Sequence, residues 1–261
     1  VDWAFPEWEM WTQFVNMDTN RALSLDGLKN SHPIEQEVKD PAEIGQLFDA
    51  ISYSKGASVI RMLEQFLGPD TFQKGLQVYI ANNQYSNAKT EDLWAALETA
   101  SGQPVTSIMD SWTKQMGYPV LQVNTAGTKE QPELELSQQR FVYDALLGEG
   151  EPDPELWRVP IRISSSGSSE ATSLLMDERT VRTPLAHPSG QGQNWFKVNP
   201  DQTGFFRVNY QAEDWQRLVP AVESLELSAS DRLGIQNDAY SLSRAGQLPV
   251  TQFLSLARAY G

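Results

Sequence analysis

Cysteine is absent from this 261-residue sequence, and only two histidines occur. Without cysteine there is no disulfide framework, no thiolate metal site and no cysteine nucleophile. The absence fits a reducing compartment. His32 in NSHPIEQ and His187 in AHPSGQG each stand alone, with no second His at ligand spacing and no H-E-x-x-H. Each precedes a proline, which reads as a turn position, so no metal ligand is assigned within the chain. A G-x-S-x-G elbow and a glycine-rich phosphate loop are also missing. No apolar run approaches the roughly 20 residues of a membrane span. The opening VDWAFPEWEM lacks the basic-then-apolar pattern of a secretory signal, which points to a cytoplasmic protein. Basic residues are scarce, 20 against 34 acidic, for a net charge of −14. That argues against nucleic acid or an anionic membrane as partner. It is mildly compatible with a cationic ligand such as a peptide amino terminus.

What is present is apolar and aromatic: 40 % hydrophobic residues, 10 % aromatic, enough chain for more than one domain. Residues 1–118 read mostly as helix. Phe5-Pro6 turns into an aromatic helix in which Trp8, Trp11 and Val15 keep the 3–4 spacing. Asp40-Pro41-Ala42-Glu43 has the form of a helix start, and Ile44, Leu47, Phe48 and Ile51 form one stripe. A polar break, Ser-Tyr-Ser-Lys-Gly, follows in FDAISYSKGASVIRML. Beyond it Val59, Ile60, Leu63, Phe66 and Leu67 form a second stripe, stopped by Gly68-Pro69. Asp70 and Thr90 are placed to cap the next helices, and a last one runs from Val105 to about Met116, closed by Gly117.

Residues 119–209 change period. VLQVNT, ELELSQ, WRVPIRIS, ATSLLM, TVRTPL, NWFKVN and GFFRVNY are short, β-branched or aromatic and separated by turn residues, as in a seven-stranded β-sandwich. From about 210 helices return in three short units, like the start of an α-helical solenoid. The chain opens on a tryptophan-rich stretch without Met and stops inside a helical pattern, so it reads as a fragment. The residues alone predict packed α, β and α parts with one tyrosine, Tyr53, at an unusual place.

Tyr53 is also where a resemblance enters. NSHPIEQEV, FDAISYSKGASVIRML, NAKTEDLWAALETASGQPV, SWTKQMGYPVLQV, GFFRVNYQAEDW and DRLGIQNDAYSLSRAGQ, in this order, resemble the zinc aminopeptidase family that includes aminopeptidase N, most of all its puromycin-sensitive branch. The resemblance covers essentially the whole chain. It implies that residues 1–118 are the helical end of a thermolysin-like catalytic domain, 119–209 a β-sandwich domain and 210–261 the first solenoid helices. It places the family's H-E-x-x-H, third zinc ligand and amine-binding G-x-M-E-N segment upstream of residue 1. The parent enzyme is therefore expected to use zinc and to remove amino-terminal residues from peptides, whereas this piece alone is expected to be inactive.

The same resemblance makes Tyr53, from the family's S-Y-x-K-G motif, a catalytic residue. A phenol can donate a hydrogen bond to a developing oxyanion while neutral at pH 7, a contribution on the order of 3 kcal/mol for one preorganised donor. Phe48 corresponds to a position lining the pocket for the first substrate side chain. It could equally be a core residue completing the stripe with Ile44, Leu47 and Ile51. Lys55 and Arg61 read as solvated or helix-end charges, Gly56 as the residue of a tight turn, and Trp94 and Trp112 as core. Arg140 and Arg207 read as strand-face or interdomain hydrogen bonders. Trp3, Phe5, Trp8 and Trp11 would be exposed by truncation and favour self-association. The competing function is a non-catalytic peptide-binding or regulatory module, separated from the enzyme by whether an H-E-x-x-H lies upstream.

Overall fold

The structure is a computed structural model that describes residues 1–38, 40, 45, 48–128, 131–143, 154–168, 170–185 and 195–261. The expected helix start at Pro41, the stripe residues Ile44 and Leu47, and His187 lie outside the described residues.

The first 118 residues are helical where they are regular. Pro6–Trp8 is a single 3-10 turn, not the opening of the aromatic helix. Glu9 then takes the left-handed conformation, φ 46°, and the helix starts only at Met10. It runs as α1 (Met10–Phe14), a π turn (Val15–Thr19) and α2 (Asn20–Asp26). A second π turn (Ile51–Lys55) leads without interruption into α3 (Gly56–Leu67). α4 (Pro69–Asn82), α5 (Thr90–Ser101) and α6 (Val105–Thr113) follow. The two expected caps shift by one or two residues. Gly68 caps α4 with Pro69 at the first helical position, and Asp70 sits in the first turn. Lys89 caps α5, its N–H donating to Asp92 at 2.7 Å, so Thr90 is already helical.

At Gly117, φ 80°, the chain turns into strands. β1 (Pro119–Gly127), β2 (Pro132–Arg140), β3 (Val159–Ser165), β4 (Thr172–Met176), β5 (Thr180–Pro184), β6 (Phe196–Val198) and β7 (Arg207–Tyr210) each fall on one of the seven predicted stretches. They form two sheets, ordered β5-β2-β1-β7 and β4-β3-β6. β1 and β2 are antiparallel, with Val123 opposite Leu136, while β7 joins β1 in parallel, Val120 opposite Arg207. Alternation along β2 and β3 buries Leu134, Leu136, Val159 and Ile161. α7 (Ala212–Glu223), α8 (Ala229–Arg244) and α9 (Val250–Ala257) end the chain. A single apolar core runs from Leu63, Leu97 and Ile108 through Trp157 and Phe205 to Leu218 and Leu242. Trp94 and Trp112 belong to it, as expected. Among the described residues no helix is long and apolar enough to cross a membrane.

Two side chains expected at the surface turn out to be structural. Lys55 is fully buried. Arg61 is nearly so, with its guanidinium 4.5 Å from the Trp11 ring and donating to the carbonyls of Asp201 and Gln202. Both lie on the buried side of one continuous helix, where a long cation can reach backbone carbonyls in neighbouring segments. Gly56 makes no tight turn. Its backbone is helical, φ −54° and ψ −50°.

Candidate functional site

The polar break around Tyr53 is a widening of the helix rather than an interruption. Gly56 N–H donates to the carbonyl of Ile51, five residues back, which defines a π turn. Such turns occur mostly as single bulges, often at functional sites. The sequence supplies the local reasons. Asp49 caps the turn, its Oδ1 accepting from the N–H groups of Ile51 and Ser52 at 2.9 Å each. Ile51, Lys55, Val59 and Leu63, four residues apart, form the buried edge.

The other π turn, Val15–Thr19, packs against this one. Ser54 donates to Asp18 at 2.9 Å, and the Ser58 and Thr19 hydroxyls are 3.0 Å apart. Ser54 and Ser58 are themselves buried. Every side of the turn but one is thus engaged, and Tyr53 points out on that side, 61 % exposed. Among the described residues nothing hydrogen-bonds its hydroxyl.

Phe48 lies beside it, with ring centroids 6.1 Å apart and planes at 29°. It precedes the helix and is 66 % exposed in this chain, and its expected stripe partners Ile44 and Leu47 lie outside the described residues. The structure therefore brings Phe48 and Tyr53 together as a stacked aromatic pair on an open face.

The pair stands on a charged base that the sequence reading missed. His32 Nε2 is 2.6 Å from Asp49 Oδ2, and its Nδ1 is 2.8 Å from the carbonyl of Pro33. Burial pulls the His32 pKa down, but the Pro33 carbonyl and the Asp49 carboxylate outweigh it, so the net shift is upward. For Asp49 burial acts upward, but the Ser52 amide, His32 and the Ile51 amide outweigh it and hold the carboxyl below its usual range. Behind the turn, Lys55 meets Asp26 at 2.8 Å, both side chains wholly buried. Burial pulls the Lys55 ammonium down against the opposing pull of Asp26. Two signals for these residues existed in the sequence. Asp49 sits where a helix cap belongs, and Lys55 falls inside the i, i+4 apolar series.

Among the described residues no group of three or more His, Cys, Asp or Glu side chains could hold a metal ion.

Comparison with known proteins places the chain in a family. Residues 1–112 match the family model described as Peptidase family M1 domain, and residues 195–261 match the one described as ERAP1-like C-terminal domain. The chain belongs to the M1 peptidases. It is 45 % identical to Aminopeptidase M1 of Arabidopsis thaliana, with all of this chain and 30 % of that protein aligned. It is 40 % identical to Glutamyl aminopeptidase of Rattus norvegicus, over 99 % of this chain and 27 % of that protein. For Puromycin-sensitive aminopeptidase of Caenorhabditis elegans the figures are 39 %, 97 % and 26 %. The chain thus spans less than a third of the length of these curated relatives.

Proposed function

We propose that this chain is the part of an M1 aminopeptidase that contributes an oxyanion hydrogen-bond donor, Tyr53, and one wall of the substrate pocket, Phe48. The observation that carries the reading is the presentation of Tyr53: an exposed phenol on a π turn that buries Ile51, Ser54 and Lys55. A hydroxyl serving only packing has no reason to sit on such a platform. Attack on a peptide carbonyl puts negative charge on its oxygen, and a neutral phenol can donate a hydrogen bond to that oxygen. The exposed Phe48 ring offers a flat face to apolar side chains, or to a basic one through cation–π contact.

The substrate is a peptide with a free amino terminus. Zinc belongs to the intact enzyme and is held by residues outside this chain, so the 261-residue chain alone does not turn over an aminoacyl substrate. In this reading residues 1–118, 119–209 and 210–261 are three units. The two sheets form a seven-stranded sandwich, α7 to α9 open a solenoid, and the enzyme is cytoplasmic. Trp3, Phe5, Trp8 and Trp11, all exposed, give the isolated chain an apolar face for self-association, which a strictly monomeric sedimentation profile at tens of micromolar would contradict.

The test is Tyr53→Phe in the full-length enzyme. Loss of one preorganised donor should lower kcat about a hundredfold or more, with zinc content and melting temperature unchanged. Equal turnover would remove Tyr53 from the chemistry.

A further inference from the structure

Among the described residues nothing hydrogen-bonds the Tyr53 hydroxyl, so apart from the Phe48 ring beside it the phenol is aimed through the backbone that carries it. Asp49 holds the amino-terminal end of the π turn. The carboxy-terminal end is held by Lys55, two residues beyond Tyr53 and therefore on the opposite side of the helix.

Lys55 reaches inward to three acceptors: Asp26 Oδ2 at 2.8 Å, the carbonyl of Gly117 at 2.9 Å and the carbonyl of Gln115 at 3.4 Å. Three acceptors match the three N–H bonds of an ammonium. Asp26 closes the arrangement, its Oδ1 accepting from Gly117 N–H at 2.9 Å and from the Ser31 hydroxyl. Gly117 is itself shaped for this junction. Its φ is 80°, and a Cβ there would meet Arg140 Nε at 2.7 Å. One residue on, Tyr118 donates to the carbonyl of Leu23 at 2.8 Å. A single buried ion pair thus ties the end of α2, the π turn and the entry to β1 into one unit.

Stability alone does not call for this device. An apolar pair of similar volume is often as stable as a buried ion pair. What an apolar pair lacks is direction, because an ion pair and two hydrogen bonds to backbone carbonyls fix where the Lys55 backbone lies and dispersion contacts do not.

We propose that Lys55 and Asp26 are positioning residues that set the π turn so that Tyr53 meets the oxyanion. The proposal rests on the reading of Tyr53 as donor. It predicts that the effect of Lys55 on turnover passes through the Tyr53 hydroxyl.

The experiment is a double-mutant cycle in the full-length enzyme: wild type, Tyr53→Phe, Lys55→Met and both together, assayed for kcat and KM on an aminoacyl chromogenic substrate. Lys55→Met is expected to lower kcat between about tenfold and a hundredfold, the range for a misplaced group, with KM little changed. In the Tyr53→Phe background the same substitution should cost nothing further. Equal factors in both backgrounds, or no loss in either, would overturn the positioning role while leaving Tyr53 as donor. Unchanged turnover in Tyr53→Phe itself would overturn the donor reading, and the positioning role with it. If Lys55→Met does not accumulate as folded enzyme, Asp26→Asn carries the same cycle, because it keeps an oxygen for Gly117 N–H and removes the charge.

Discussion

Arg207 offers the largest single perturbation of this fold. It lies at the start of β7, fully buried, and its guanidinium faces four side chains from three segments. It donates to Tyr118 Oη at 3.0 Å, Asn237 Oδ1 at 2.7 Å, Asp238 Oδ1 at 3.1 Å and Tyr143 Oη at 3.4 Å. The rings of Phe141 and Tyr118 lie 5.2 and 5.8 Å from it. Arg207→Met keeps much of the volume and removes every donor. Asp238 would be left buried with the Val208 N–H, at 3.1 Å, as its hydrogen-bond donor. Breaking a buried pair from one side costs about 3–5 kcal/mol. For a chain of this length that is a fall in melting temperature of about 6–20 °C. Urea unfolding followed by tryptophan fluorescence reads it as a shifted midpoint at constant slope. Arg207→Met/Asp238→Asn should recover part of the loss, since the amide oxygen still accepts from Val208 and no charge is stranded. The loss should also shrink at low pH. Burial already raises the Asp238 carboxyl, and without Arg207 only the Val208 N–H and the Lys197 charge oppose that rise. A carboxyl whose folded pKa is raised penalises the fold while ionised, and the penalty is relieved as pH falls through that value. A loss below about 1 kcal/mol at neutral pH would refute the claim that this pair joins sheet and α8.

Two glycines predict opposite signs. Nothing lies within 4 Å of a Cβ built on helical Gly56, so Gly56→Ala should stabilise by about 0.5–1 kcal/mol. At Gly75 a Cβ would meet Leu97 Cδ2 at 2.5 Å and its backbone Cα at 3.0 Å, so Gly75→Ala should destabilise by about 1–3 kcal/mol as α4 and α5 are forced apart. Melts of the two variants check both. A destabilised Gly56→Ala would restore the tight-turn reading. The His32–Asp49 pair predicts a pH window. His32 has its pKa raised above 6.5, so its contribution is complete below that value and fades as pH rises through the folded one. Asp49 has its pKa lowered below 3.8, so its contribution holds above that value and fades as pH falls through the folded one. With both side chains partly solvated, the pair is worth about 0.5–1 kcal/mol. The stability gap between wild type and His32→Gln should be widest near pH 5–6 and narrow toward pH 8. A gap that grows with pH would contradict the pairing.

Secondary structure was legible where it depends on neighbours in sequence. The stripe Val59, Ile60, Leu63, Phe66, Leu67, ended by Gly68-Pro69, becomes α3, and each of the seven short stretches becomes a strand. Local period and turn chemistry suffice for that. Tyr53 was legible as an oddity, a polar break in an apolar pattern, but the break was read as a gap between helices. A π turn differs from α-helix by one residue per turn. Here it packs against another π turn more than thirty residues earlier, through Asp18 and Ser54.

The sequence by itself therefore determined the order of helices and strands and singled out one tyrosine, because propensity, capping and periodicity act over a few residues. Only the tertiary structure decided that Phe48 is exposed beside Tyr53, that Arg61 is clamped to a loop 140 residues away, and that Lys55 is buried. A lysine is buried only where a carboxylate and backbone carbonyls converge on its ammonium. Here they come from Asp26 on one side and from the neighbouring Gln115 and Gly117 on the other, two segments far apart in sequence that meet only when the chain folds.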